Sequence, residues 1–351
     1  MNSRATLIRP LVVTAFALAF IVVVLGAYVR LSAAGLGCPD WPGCYGHFTP
    51  TAAVQAAASG ALDGATVEVG KAWREMIHRY AAGTLGLLIL VIAALAIQFR
   101  AERIVSIPYA AGLLALVIAQ GILGMFTVTW QLKPLIVTAH LLFGLTTLSM
   151  LWWLTLTLSR RRARAWRTAT PFLGSSLPRT RQLAMLALIA LSVQLALGGW
   201  TSSNYAAIAC QDVPKCQGAW WPQMAAGEGF ALWHSPSTVA AAAAAGGSGV
   251  NYEGGVLSLS ARVAIHFAHR LGALLATALI LAATIRVLRI RNDCFSRLAA
   301  LCVLGALGLQ LLIGILMVAR GFPLWIATAH NAGAALLLLA VLALNRALRP
   351  A

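Results

Sequence analysis

The chain of 351 residues is 60% hydrophobic and 10% charged, with mean hydropathy +0.83. That composition excludes a soluble globular domain and fits a polytopic membrane protein. The formal charge of +17 would suit a nucleic-acid partner, but the basic residues gather on one side of the apolar segments, which excludes that class.

Eight apolar stretches, at 10–30, 77–98, 107–129, 134–157, 182–202, 262–285, 298–319 and 323–345, have the length of membrane-spanning helices. The first follows Arg4 and Arg9 and ends near Ser32-Ala33-Ala34, the outline of a signal peptide. It is too long for that and has a counterpart in the fifth stretch, so it is expected to be retained. No Arg- and Ser-rich presequence precedes it, which favours a bacterial inner membrane over an organelle. The N-terminus, the 99–106, 158–181 and 286–297 connections and the C-terminus hold 17 of the 26 Lys and Arg, with only Glu102 and Asp293 as acids. The run Arg160-Arg161-Arg162 belongs to this set. The positive-inside rule therefore predicts cytoplasmic N- and C-termini.

The remaining connections carry the first sign of a repeat. Cys38-Pro-Asp-Trp-Pro-Gly-Cys44 and Cys210-Gln-Asp-Val-Pro-Lys-Cys216 share the pattern C-x-D-x-P-x-C, and Gly26 and Gly198 each lie twelve residues before the first cysteine. Each half reads as one helix, a long outer loop with a cysteine pair, and three more helices. Four helices return the chain to its starting side, so the halves would be parallel repeats. The expected fold is an all-α membrane protein of two four-helix bundles, over 1–160 and 182–351, joined by a basic cytoplasmic linker, 161–181. The loops run from about residue 31 to 76 and from about 203 to 261. In the second, Ala240 to Ala245 predicts a short helix and the glycines after it a turn. Trp220, Trp221 and Trp233 suit a membrane interface. Each cysteine pair lies on the predicted oxidising side, where Cys38–Cys44 and Cys210–Cys216 disulfides are expected.

The repeat continues into the helices. Glu75-Met-Ile-His78-Arg79 is answered by His266-Phe-Ala-His269-Arg270, and Thr138-Ala-His140 by Thr328-Ala-His330. Gln120 precedes His140 by the twenty positions that separate Gln310 from His330. Ionisable residues within membrane helices are functional candidates by default. In each half two histidines on facing helices can approach a flat group from opposite sides, and imidazole is a standard axial ligand of haem iron. Zinc would need a larger closed set, and the C-x-x-C-H of c-type haem attachment is absent. Arg79 and Arg270 could bind haem propionates as bidentate donors or snorkel to headgroups. Gln120 and Gln310 are expected to tie helices together. At the position three before the first histidine the halves differ. Glu75 shares a helix face with His78, and a carboxylate there could move a proton or stabilise positive charge. His266 stands in its place in the other half, where it is the main rival to His269 as a ligand.

Taken together, Glu-x-x-His-Arg, the Thr-Ala-His motifs and the outer loop around Cys-Pro-Asp-Trp-Pro-Gly-Cys-Tyr-Gly resemble the haem A synthase family over essentially the whole chain. The resemblance implies oxidation of the C8 methyl of haem O to a formyl group, by successive hydroxylations and loss of water. It implies haem b as cofactor on His269 and His330, haem O as substrate at His78 and His140, and Glu75 as the catalytic acid. Expected partners are haem O, membrane lipid, haem O synthase and terminal oxidase assembly factors, with a homo-oligomer left open. The competing reading is a di-haem b electron-transfer protein, which needs no carboxylate at position 75.

Overall fold

A computed structural model describes residues 3–61, 66–102, 104–164, 177–233 and 250–349. Eight of its helices are long and apolar enough to cross a membrane. They are α1 (Ser3–Leu31), α2 (Val69–Gln98), α3 (Ile107–Thr129), α4 (Pro134–Arg164), α5 (Leu177–Ser203), α6 (Leu259–Ile290), α7 (Cys294–Ala319) and α8 (Leu324–Ala347). No strand occurs among the described residues. The chain is a multi-pass membrane protein.

The helices outrun the apolar stretches. α2 starts at Val69, where the hydropathy predicts residue 77, and α4 and α5 extend into the predicted linker as far as Arg164 and from Leu177. An apolar run marks only what lipid must cover, while the backbone keeps its hydrogen bonds into polar turns. The extension of α2 matters, because it puts Glu75 and His78 inside a helix and not at its frayed edge. Linker residues 165–176 and the predicted alanine helix and turn at 240–249 lie outside the described residues.

Within each half the helices contact one another in a ring. α1 and α3 each pack on α2 and α4, and α5 and α7 each pack on α6 and α8. The halves meet where α4 packs on α5 and α8, and α1 on α8. Apolar surface gives helices in lipid little reason to associate, so packing and interhelical hydrogen bonds must hold them. Ile8, Val12, Ile89, Leu148, Leu151 and Ile280 are fully or almost fully buried in one continuous core toward the basic end of the bundle. Across the two halves Trp152 Nε1 donates to the Leu339 carbonyl at 2.9 Å and the Thr138 and Ser203 hydroxyls lie 3.0 Å apart, while within the second half Asn345 Nδ2 donates to the Ala184 carbonyl at 3.1 Å.

At the other end the two cysteine loops fold alike. Cys38–Cys44 and Cys210–Cys216 are disulfide-bonded, with Cα–Cα distances of 4.7 and 4.8 Å. The motif aspartate closes each loop. Asp40 accepts from the backbone N–H of Tyr45 at 2.5 Å and of Gly46 at 2.8 Å. Asp212 accepts likewise from Gln217 at 2.7 Å and Gly218 at 2.9 Å. The Gly218 N–H bond is the largest influence holding the Asp212 carboxyl below its ordinary range. Both receiving turns need two successive residues of positive φ, 53° and 75° in one and 52° and 74° in the other. Glycine stands second in each because it adopts that region without steric cost.

Candidate functional site

The tight core of the basic end gives way, in the N-terminal half, to a cavity of about 790 Å³, within the range of ligand-binding pockets. His78 of α2 and His140 of α4 line it, as the repeat predicts, together with Glu75, Arg79 and Gln120. Trp41, Pro42 and Phe48 of the first cysteine loop contribute to its rim.

Each of the four repeat histidines is seated against a glycine on the next helix. A Cβ on Gly26 would lie 3.0 Å from His78 Cε1, and one on Gly124 3.4 Å from His140 Cε1. In the other half the distances are 3.2 Å from Gly198 to His269 and 3.1 Å from Gly314 to His330. Missing side chains therefore make the room that the imidazoles occupy. Nδ1 of His78 and of His140 is buried without a protein partner, as is Oε1 of Gln120, Gln194 and Gln310. Imidazole nitrogens not spent on protein hydrogen bonds are available as metal ligands. No group of three or more His, Cys, Asp or Glu suited to a metal ion occurs among the described residues. Two imidazoles per half are too few for a closed zinc site and are a donor set that a haem iron could take.

The glutamines divide the halves. Gln310 Nε2 lies 3.2 Å from His330 Nε2, so it binds a histidine across helices, whereas Gln120 lines the cavity. Gln194 of α5 was not among the sequence candidates. Its amide sits 3.0 Å from His269 Nδ1 and donates to the His269 carbonyl at 2.9 Å. Four positions before Gly26 the N-terminal half has Val22, where four before Gly198 stands Gln194. A search by internal repeat passes over such a residue.

The difference at Glu75 and His266 is built into the same frame. Glu75 is 5% exposed. Its Oε2 accepts from the Cys38 N–H at 2.9 Å and its Oε1 from Arg79 at 2.5 Å. Arg79 also donates to the carbonyls of Asp40 at 2.9 Å, of Pro42 at 3.2 Å and of Gly43. The disulfide loop, the arginine and the carboxylate are thus one unit at the loop end of the cavity. His266 is buried in the equivalent place, 3.4 Å from Arg270 Nε. Arg270 donates to the carbonyls of Lys215 at 2.8 Å and Cys210 at 3.0 Å. Both arginines, candidates from sequence for haem propionates or for headgroups, spend Nη donors on loop carbonyls.

A family model described as COX15-CtaA, cytochrome oxidase assembly protein, matches residues 9–342. A heme A synthase of Shewanella oneidensis is 41% identical over 329 residues, covering 93% of this chain and 92% of that protein. A heme A synthase of Erythrobacter litoralis is 28% identical over 346 residues, covering 91% and 90%.

Proposed function

The chain belongs to the COX15-CtaA family of cytochrome oxidase assembly proteins, and on that premise we propose that it is a haem A synthase, oxidising the C8 methyl of haem O to a formyl group. The bundle over 1–160 holds the substrate haem, with His78 and His140 as iron ligands. The bundle over 182–351, beyond the linker 161–181, holds haem b on His269 and His330. The two halves are parallel repeats in a bacterial inner membrane with both termini cytoplasmic, so the cavity lies toward the outer face. Haem O synthase and terminal oxidase assembly factors are its expected neighbours.

The observation that carries this reading is a buried carboxylate beside two imidazoles in one half, with a histidine in its place in the other. Glu75 is fixed by the Cys38 N–H and Arg79, so its orientation does not have to be found during the reaction. A held carboxylate can accept the protons that leave a methyl group during oxidation and can stabilise positive charge developing at that carbon. The Arg79 clamp keeps the loop over the carboxylate and limits water access. Haem b, when bound, would be held by His269 and His330 and would supply one-electron transfer. A di-haem electron carrier would have no use for Glu75.

The test is Glu75→Gln in cells that supply haem O, followed by haem extraction and mass analysis. Haem O should accumulate, haem A should fall by about a hundredfold or more, and the haem b spectrum should be unchanged. Normal haem A content would overturn the assignment.

A further inference from the structure

Arg30, near the end of α1, lines the same cavity. It has no basic counterpart in the other half, where Ser202 stands four residues after Gly198 as Arg30 stands four after Gly26. One Nη donates to the carbonyl of Ser202 at 2.9 Å and lies 3.4 Å from that of Ser203. Its guanidinium also stacks on the Tyr205 ring, 4.0 Å from the centroid. The side chain is thereby locked by the last turn of α5, whose C-terminal carbonyls favour a cation. Its Nε is buried and has no partner. Arg79, the cation nearest Glu75, has one Nη committed to loop carbonyls and the other to Glu75 itself.

Height along the bundle connects Arg30 to the chemistry. Gly26 touches the His78 ring, and Arg30 lies one helical turn beyond it, about 6 Å toward the loops. Glu75 lies three residues beyond His78 in the same direction, about 4.5 Å. Arg30 and Glu75 therefore stand at nearly one level, at the loop end of a cavity whose opposite end is lined by Ala19, Leu87 and Val117. A haem has charged propionates along one edge, and its C8 methyl shares a pyrrole ring with one of them.

We propose, resting on the haem A synthase reading, that Arg30 binds the propionate next to the C8 methyl and so selects which methyl faces Glu75. Arginine suits this because its planar fork pairs with a carboxylate through more than one N–H. The rest of the substrate then extends into the apolar end. Arg30 is a specificity residue for the substrate haem and has no part in holding haem b.

The experiment compares haem O with its dimethyl ester, each titrated into purified protein that carries haem b, for wild type and Arg30→Gln. Wild type should bind the acid roughly tenfold to a hundredfold more tightly than the ester. Arg30→Gln should bind both alike while keeping the wild-type haem b spectrum. Arg30→Lys, which loses the fork, covers a failure of the first variant to accumulate and should lose at least about threefold of the discrimination. Full wild-type discrimination in either variant would overturn the inference. So would a wild-type protein that converts haem O yet binds acid and ester equally, which leaves the synthase reading standing. Wild-type protein that binds haem O in neither form overturns both.

Discussion

Removing Arg79 should do more damage than removing the carboxylate it pairs with, and the two losses should not add. Arg79→Met strips Glu75 of its cation and leaves the carbonyls of Asp40, Pro42 and Gly43 without their donor. Glu75 would then be a carboxylate at 5% exposure facing only the Cys38 N–H among the bonds described above. Breaking a buried pair from one side costs about 3–5 kcal/mol. Glu75→Gln keeps the shape and an acceptor for Cys38 while Arg79 retains its carbonyls, so its cost should be about 1–2 kcal/mol. In the double variant no unpaired charge is buried, and the total should fall short of the sum by about 2 kcal/mol or more. The measurement is unfolding in mixed micelles with increasing sodium dodecyl sulfate, followed by haem b absorbance, for the four proteins of the cycle. Additivity within about 0.5 kcal/mol would show that the carboxylate and the guanidinium are not energetically one unit, and the reasoning about the loop clamp would fail.

Two further outcomes follow from the histidine seats. Gly26→Ala places a methyl 3.0 Å from the His78 ring, whereas Gly124→Ala meets His140 at 3.4 Å. The first should displace the imidazole and weaken haem O binding about tenfold, in line with overpacking costs of about 1–3 kcal/mol, while the second stays near wild type; a reversed order in haem O titrations would contradict the seat geometry. His269→Ala should abolish the low-spin haem b spectrum and His266→Ala should retain it, because His266 sits in the frame of the Arg270 loop as Glu75 does in that of Arg79. Loss of the spectrum in His266→Ala alone would move the ligand assignment to His266.

Much of this was legible in the sequence because membrane helices and repeats leave strong marks. The spans could be drawn from apolar runs, and the histidines found from two copies of one motif. The C-x-D-x-P-x-C spacing pointed to a closed loop, and the structure shows why the aspartate is there. Arg79 and Arg270 also donate to backbone carbonyls, which every residue carries, so no pattern of residue types records those bonds. Gln194 and Arg30 each occur in one half only, and a reading organised by symmetry passes over them. The burial of Glu75 depends on a loop folding back from residue 38, more than thirty positions away, which no local pattern records.

The bare stretch of the cavity wall has a kinetic meaning. Gly83 and Gly86 of α2 and Gly121 of α3 border the cavity, and a side chain built on any of them would meet nothing within 4 Å. The cysteine loop covers the end, so the thinnest part of the enclosure faces sideways. For a haem dissolved in the bilayer by its hydrocarbon tail, arrival is then a search in two dimensions. The quantity that sets the encounter rate is the number of substrate molecules per area of lipid, and turnover in vesicles should slow when the same protein and substrate are diluted with more phospholipid at constant bulk concentration.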